Sequence, residues 1–142
     1  SYSWGEREAL DLLGDLAEAT DSSIPHFIGA VVLVNGAETG LVEIVDGQQR
    51  LTTLTILLAV LRDLETDKER ATALHAMIAD DARPMLGEAA NWRLTLNYMD
   101  GAFFRDTIQR IGATKSLQNE PGESDSQQRM ANSRHPRPVP EG

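Results

Sequence analysis

The stretch "LVEIVDGQQRLTTLTILLAVL", residues 41–61, contains the change of period on which the fold turns. Up to Val45 it is short, apolar and β-branched. From Leu51 onward, leucines at 51, 54, 57, 58, 61 and 64 recur at three-and-four spacing, which is the period of a helix. Asp46-Gly47 marks the junction. The competing reading makes Asp46-Gly47 a tight hairpin turn, since threonine and isoleucine suit strands. Length decides against it: residues 48–65 are too many for an ordinary strand and do not alternate. Ile56 and Val60 lie off the leucine stripe, so burial on more than one side of this helix is expected.

Working outward, "HFIGAVVLV" (residues 26–34) and "LVEIV" (residues 41–45) are β-rich runs separated by "NGAETG". Asn-Gly in that loop points to a hairpin, a wide one with six loop residues. Upstream, "SWGEREALDLLGDLAEAT" carries Ala9, Leu12, Leu13 and Leu16 on one helical stripe. Ser3 followed by Glu6 suggests its capping box, and residues 22–25 break it. Downstream, "DKERATALHAMIADDARPML" reads as a helix ending near Pro84. "NWRLTLNYMD" holds a short alternating run, and "GAFFRDTIQRI" returns to helical spacing through Phe103, Phe104 and Ile108. From Lys115 the chain is polar and almost without apolar residues, so residues 1–114 are expected to form the domain and 115–142 a disordered tail or linker.

The bulk numbers bound the function. A chain of 142 residues suffices for one domain with its own core. A net charge of −9 argues against whole-surface attraction to DNA or anionic lipid. With no cysteine, disulfides, thiolate nucleophiles and thiolate-held metals are excluded, which fits a reducing, cytoplasmic setting. The longest apolar run, residues 54–61, is far short of the roughly 20 residues of a membrane helix.

Chemistry concentrates at the strand-to-helix junction. A helix starting near Gln48 turns its first backbone N–H groups and its positive dipole end outward. Gly47 permits a sharp turn and close approach by a ligand. Arg50 offers a planar guanidinium suited to phosphate oxygens, Gln48 and Gln49 offer further donors, and Asp46 is a candidate for a metal ion or a ribose hydroxyl. A plain N-cap explains Asp46 equally well, since capping alone contributes about 1 kcal/mol, and the residue types leave both readings open. The stretch is not a Walker A loop. Other candidates are weaker. Asp80-Asp81 read as solvated surface, Trp4 and Trp92 as packing residues, and His26, His75 and His135 lack the spacing of an HNH metal site. Arg134 and Arg137 are too few for a nucleic-acid arm.

In sequence, "EIVDGQQRLTTLTILLAVL" resembles the signature of the large bacterial family named for its DGQQR motif. The other family motifs follow in order: "YSW" (residues 2–4) and "LLGDLAEA" (12–19) are similar to its opening aromatic motif and first helix, "HFIGAVVLV" to its Phe-x-Gly strand, and "RLTLNYMDGAFF" (93–104) to its Leu-x-Leu and Asp-x-x-Phe segment. "SDSQQRMANSR" (124–134) is similar to the start of a further family helix. The resemblance implies an α/β (α+β) domain with a ParB/sulfiredoxin-like fold, a small mixed sheet and packed helices. Such domains form the N-terminal part of GmrSD-type modification-dependent restriction endonucleases and of phosphorothioate-sensing defence proteins.

By the same resemblance, the function expected is binding, and in the family hydrolysis, of a nucleoside triphosphate with Mg²⁺. This would act in an anti-phage restriction system whose HNH-type nuclease lies in a separate domain or subunit and whose target is modified DNA. Carried over by position, Asp46, Gln48, Gln49 and Arg50 become the catalytic candidates. Gly47, Gln48, Gln49, Arg50, Thr52 and Thr53 become the nucleotide-binding candidates, with Asp46 as the metal ligand. The family also carries a Gln-Arg pair just before Tyr-x-Trp. The sequence begins at Ser1, after that pair, so N-terminal truncation is expected, with a non-catalytic interaction module or an inactive remnant as the alternatives.

Overall fold

The computed structural model describes residues 3–118 apart from Thr39, Glu88, Tyr98 and Met99. The polar segment from 119, with residues 124–134 and His135, lies outside the described residues, as does Tyr2 of the aromatic motif. The architecture is α+β. Helix α1 (Glu6–Thr20) leads to an antiparallel hairpin of β1 (Val32–Asn35) and β2 (Val42–Asp46), and β2 runs into α2 (Gln48–Leu64). Then come α3 (Lys68–Ala76), a second two-stranded antiparallel sheet of β3 (Ala79–Asp80) and β4 (Asn91–Trp92), and α4 (Gly101–Phe104). A π turn (Arg105–Gln109) continues α4, and α5 (Ala113–Gln118) follows. No helix among the described residues is long and apolar enough to cross a membrane.

The period change at Asp46-Gly47 is a change from strand to helix, as the leucine spacing predicts. The leucine stripe itself does not form the core face: Leu61 and Leu64 are exposed, while Thr52, Thr53, Ala59, Arg62 and Asp63 are buried. The reason is steric. Ala59, with no accessible surface, lets Ile78, Phe104 and Ile108 approach the helix closely, and Ile56, Leu58, Trp92, Leu94 and Leu96 pack around that cluster. The core therefore sits against the second half of α2.

Three boundaries differ from expectation. Helix α1 starts two residues later than a Ser3 cap requires. Gly5 is its N-cap, with the Glu8 carboxylate accepting from the Gly5 N–H at 3.0 Å, because the Ser3 amide is drawn to another partner. Helix α3 is capped by Asp67, whose carboxylate accepts from the Arg70 N–H at 2.9 Å, but it ends at Ala76, well before Pro84. Ile78 and Ala79 leave the helical path to enter the core, and Ala79–Asp80 pair with Asn91–Trp92. Pro84 instead opens a 3-10 turn, where its missing N–H is no loss. Finally, of the β-rich run 26–34 only residues 32–34 are strand, residues 26–31 lying outside β1; helix α5 spans Ala113–Gln118.

The last turn of α2 meets the end of the π turn through a buried ion pair. Arg62 and Asp63 side chains are 2% and 1% exposed and joined at 2.9 Å. Arg62 donates to the carbonyls of Ile108 (3.3 Å), Gln109 (2.6 Å) and Arg110 (2.7 Å), capping a helical C-terminus with a cation. Asp63 accepts from the Gly112 and Thr114 N–H groups and from the Thr114 hydroxyl, the arrangement of an N-cap supplied from a distant helix. Burial works to raise the Asp63 carboxyl. The hydrogen bonds from Arg62, Thr114 and Gly112 outweigh it and bring it from 3.8 down to about 2. His75 Nδ1 lies 2.9 Å from Arg62 Nη1, so that nitrogen must accept. Burial and the guanidinium lower the imidazole pKa from 6.5, against the opposing pull of Asp81 and Asp63.

Candidate functional site

The other end of α2 is built differently. Gly47 is its N-cap in the left-handed region (φ 90°, ψ 10°). A Cβ there would lie 3.0 Å from Val31 Cγ2 and 3.2 Å from the Ala30 carbonyl. Conformation and space thus both require glycine at the point where β2 turns into the helix. Having no side chain, Gly47 cannot accept from the first-turn amides as Ser, Asp or Asn would. Asp46, the expected cap candidate, instead folds its Oδ1 onto the Gly47 N–H at 2.9 Å and remains exposed.

The last three residues of the motif each join α2 to a different neighbour. Gln48 Nε2 donates to the Ile44 carbonyl at 2.6 Å, back along β2. Gln49 Oε1 accepts from two successive amides, Ser3 at 2.7 Å and Trp4 at 3.2 Å, which fastens the N-terminal segment to the helix. Arg50 Nη1 donates to the Ala30 carbonyl at 2.9 Å, and its guanidinium lies on Gly29. A Cβ at Gly29 would sit 2.3 Å from Arg50 Cζ, so the glycine of the Phe-x-Gly segment is what makes room for the arginine of DGQQR. Three segments far apart in sequence meet here: residues 3–4, residues 29–31 and the end of β2.

Between them lies a cavity of about 200 Å³ walled by Trp4 and residues 45–50. The expected site residues Asp46, Gly47, Gln48, Gln49 and Arg50 all line it. Thr52 and Thr53 do not. They are buried, and their hydroxyls donate to the Gln48 and Gln49 carbonyls of their own helix at 2.8 Å each. Four participants were not singled out from sequence as site residues: Gly29, the Ala30 carbonyl, the Ser3 amide, and Trp4, which was expected to be a packing residue but walls the cavity. Gly29 and Trp4 each had a signal, their places in the Phe-x-Gly and opening aromatic motifs.

The chemistry available is that of an anion site. A helix N-terminus with positive dipole end, an N-cap without a competing side chain and a guanidinium on the same wall favour phosphate or carboxylate oxygens. Among the described residues no group of three or more His, Asp or Glu side chains is placed to hold a metal. Asp46 would be a single carboxylate ligand. That fits Mg²⁺ shared with phosphate oxygens and water better than a cage made by protein alone.

A larger cavity of about 570 Å³ opens at the far end of α2, beside Lys68, His75, Asp80, Asp81 and Lys115. Its polar rim mixes both signs of charge, and Arg62 and Asp63 on its wall are engaged within the fold. The charge pattern there selects no ligand.

A search of curated proteins and a search of solved structures each returned no match. A sequence model of the GmrSD restriction endonuclease N-terminal domain, by contrast, matches residues 1–136, nearly the whole chain and every motif discussed above. The chain belongs to the family of the N-terminal domain of GmrSD restriction endonuclease.

Proposed function

We propose that this domain binds a nucleoside triphosphate at the start of α2 and, in a cytoplasmic anti-phage restriction system, couples that binding to a separate HNH-type nuclease acting on modified DNA. The reading is supported by family membership in a restriction endonuclease and by the likeness of its DGQQR motif to a nucleotide-handling one. It takes the arrangement to be ParB/sulfiredoxin-like. The observation that carries it is the cavity walled by residues 45–50, with Arg50 held in place by Ala30. Only one of the five guanidinium donors is used in that contact, so the same group that is anchored can also face an anion.

In this proposal the first-turn N–H groups of α2 and Arg50 hold phosphate oxygens, and Asp46 orients a metal or an attacking water. Bound Mg²⁺ would neutralise charge on the phosphates. Gln48 and Gln49 keep the strand end and the N-terminal segment in register with that wall. That last point favours a second reading. Both glutamines hold the fold together, so a non-hydrolysing module that uses nucleotide binding to gate its partner is also supported.

Isothermal calorimetry with each of the four nucleoside triphosphates and Mg²⁺, on the unaltered protein and on Arg50→Ala, tests the site. Binding lost in Arg50→Ala with an unchanged circular dichroism spectrum is expected. Binding with phosphate release supports the enzyme, and binding without it supports the gating module. No heat with any nucleotide would sink both and leave an inactive remnant.

A further inference from the structure

Of the seven residues that wall the small cavity, six belong to the 45–50 junction and one does not. Trp4 reaches it from the N-terminal segment, some forty residues away in sequence. Its placement is held from the α2 side. Gln49 accepts from the backbone N–H groups of both Ser3 and Trp4, so the same helical turn that carries Arg50 fixes the backbone on which the indole is mounted. The tryptophan is half-buried, with part of its surface still open. This differs from Trp92, which packs on the core and meets His75 edge-on with ring centroids 6.3 Å apart.

At about 200 Å³ the cavity is smaller than the roughly 300–1,000 Å³ of sites that enclose a whole small molecule. It suits a phosphate group or a single ring, so part of a nucleotide would extend beyond it. The walls divide accordingly. Residues 46–50 contribute polar groups and backbone, and the apolar members of the lining are Val45 and the aromatic Trp4. A ligand with an anionic end and a flat aromatic end matches that division.

We propose that Trp4 is the nucleobase platform of this site and that Gln49 is the positioning residue that holds it there. The inference rests on the nucleotide reading above and adds the part of the ligand that Trp4 recognises. Stacking tolerates every base, because each has a π-face. Trp4 therefore contributes affinity for a nucleoside over a bare polyphosphate and little choice among the four bases. Gln49 acts on the base only through Trp4, so its removal should matter only while the indole is present.

The test compares a nucleoside triphosphate with inorganic tripolyphosphate, both with Mg²⁺, on the full chain. Trp4→Leu keeps an apolar side chain but removes the ring; it should weaken nucleoside triphosphate binding about 5- to 150-fold, the range measured for aromatic stacking. Trp4→Phe should recover most of that loss, and tripolyphosphate affinity should be the same in all three proteins. Gln49→Ala should weaken the nucleotide in the unaltered background and add nothing to Trp4→Leu. A Trp92→Phe protein leaves Trp4 as the sole tryptophan, and its fluorescence should change with nucleotide and not with tripolyphosphate. Equal nucleotide affinity in the unaltered and Trp4→Leu proteins overturns the proposal while leaving the phosphate site standing. Equal losses for nucleotide and tripolyphosphate in Trp4→Leu also overturn it, since the tryptophan would then be structural. If neither ligand binds the unaltered protein, the nucleotide reading itself fails and takes this inference with it.

Discussion

The two ends of α2 carry the same pair of residue types in opposite situations. At its last turn, Arg62 and Asp63 are withdrawn from water, and together they serve three carbonyls, two amides and a hydroxyl. At the junction where it begins, Asp46 at the end of β2 is exposed and holds a single amide, and Arg50 in the first turn is half-exposed and holds a single carbonyl. An Arg–Asp pair whose hydrogen-bonding capacity is consumed inside the protein is part of the architecture. A pair that is positioned but only partly used retains capacity for something outside. The contrast separates charge consumed by the fold from charge left with spare capacity, which residue identity alone does not.

The comparison is broken most forcefully by Arg62→Ala. It strands a buried carboxylate and three helix-end carbonyls, and should cost about 3–5 kcal/mol in chemical denaturation, a large share of the roughly 5–15 kcal/mol of a typical domain. Acid attacks the same knot from the other partner. Asp63 falls from 3.8 to about 2 on folding, so its contribution is complete above pH 3.8 and lost as pH falls through about 2. The shift corresponds to about 2 kcal/mol. Denaturation curves between pH 5 and pH 2 should show that loss, and Asp63→Asn should lack it. The lowered His75 pKa has the same sign at higher pH: its contribution is full above 6.5 and declines as pH falls below it.

How much of this was legible in the sequence depended on the reach of each interaction. Helix α2, the presence of a hairpin and the alternation of half-buried Trp92, Leu94 and Leu96 with exposed neighbours are local patterns that sequence reading finds, although the first hairpin strand is confined to Val32–Asn35 and does not extend back to residue 26. The 45–50 junction was legible because its glycine and arginine sit in a contiguous motif. The Arg62–Asp63 knot was not. "VLRDLET" looks like the polar side of a surface helix, and its partners lie 46 to 51 residues downstream with no mark on the local pattern. Helix α3 is shorter than its spacing predicts for a related reason: residues 77–80 are compatible with a helix, and the pairing of Ala79–Asp80 with Asn91–Trp92 takes the chain out of it.

Two smaller substitutions sharpen the contrast at the open end. Gly29→Ala meets the Arg50 guanidinium and must also hold φ at +115°, at a cost of about 1–3 kcal/mol. Its effect on nucleotide affinity should vanish in an Arg50→Ala background if displacement of the guanidinium is the cause. Arg50→Ala alone should be the mildest. It removes one hydrogen bond to an exposed carbonyl, about 0.5–1.5 kcal/mol at most, so its unfolding midpoint should stay near that of the unaltered protein. A loss as large as that of Arg62→Ala would erase the distinction between the two ends.

The hairpin has a consequence for anyone working with this domain. Val32, Leu33 and Val34 point apolar side chains to both faces of β1, all three are exposed, and among the described residues β1 pairs with β2 alone. A short uncharged β-branched strand with one edge open is a template for adding further strands. Concentrated samples should accordingly self-associate through residues 31–34 first, and a lysine placed at Leu33 should raise the usable concentration without disturbing α2.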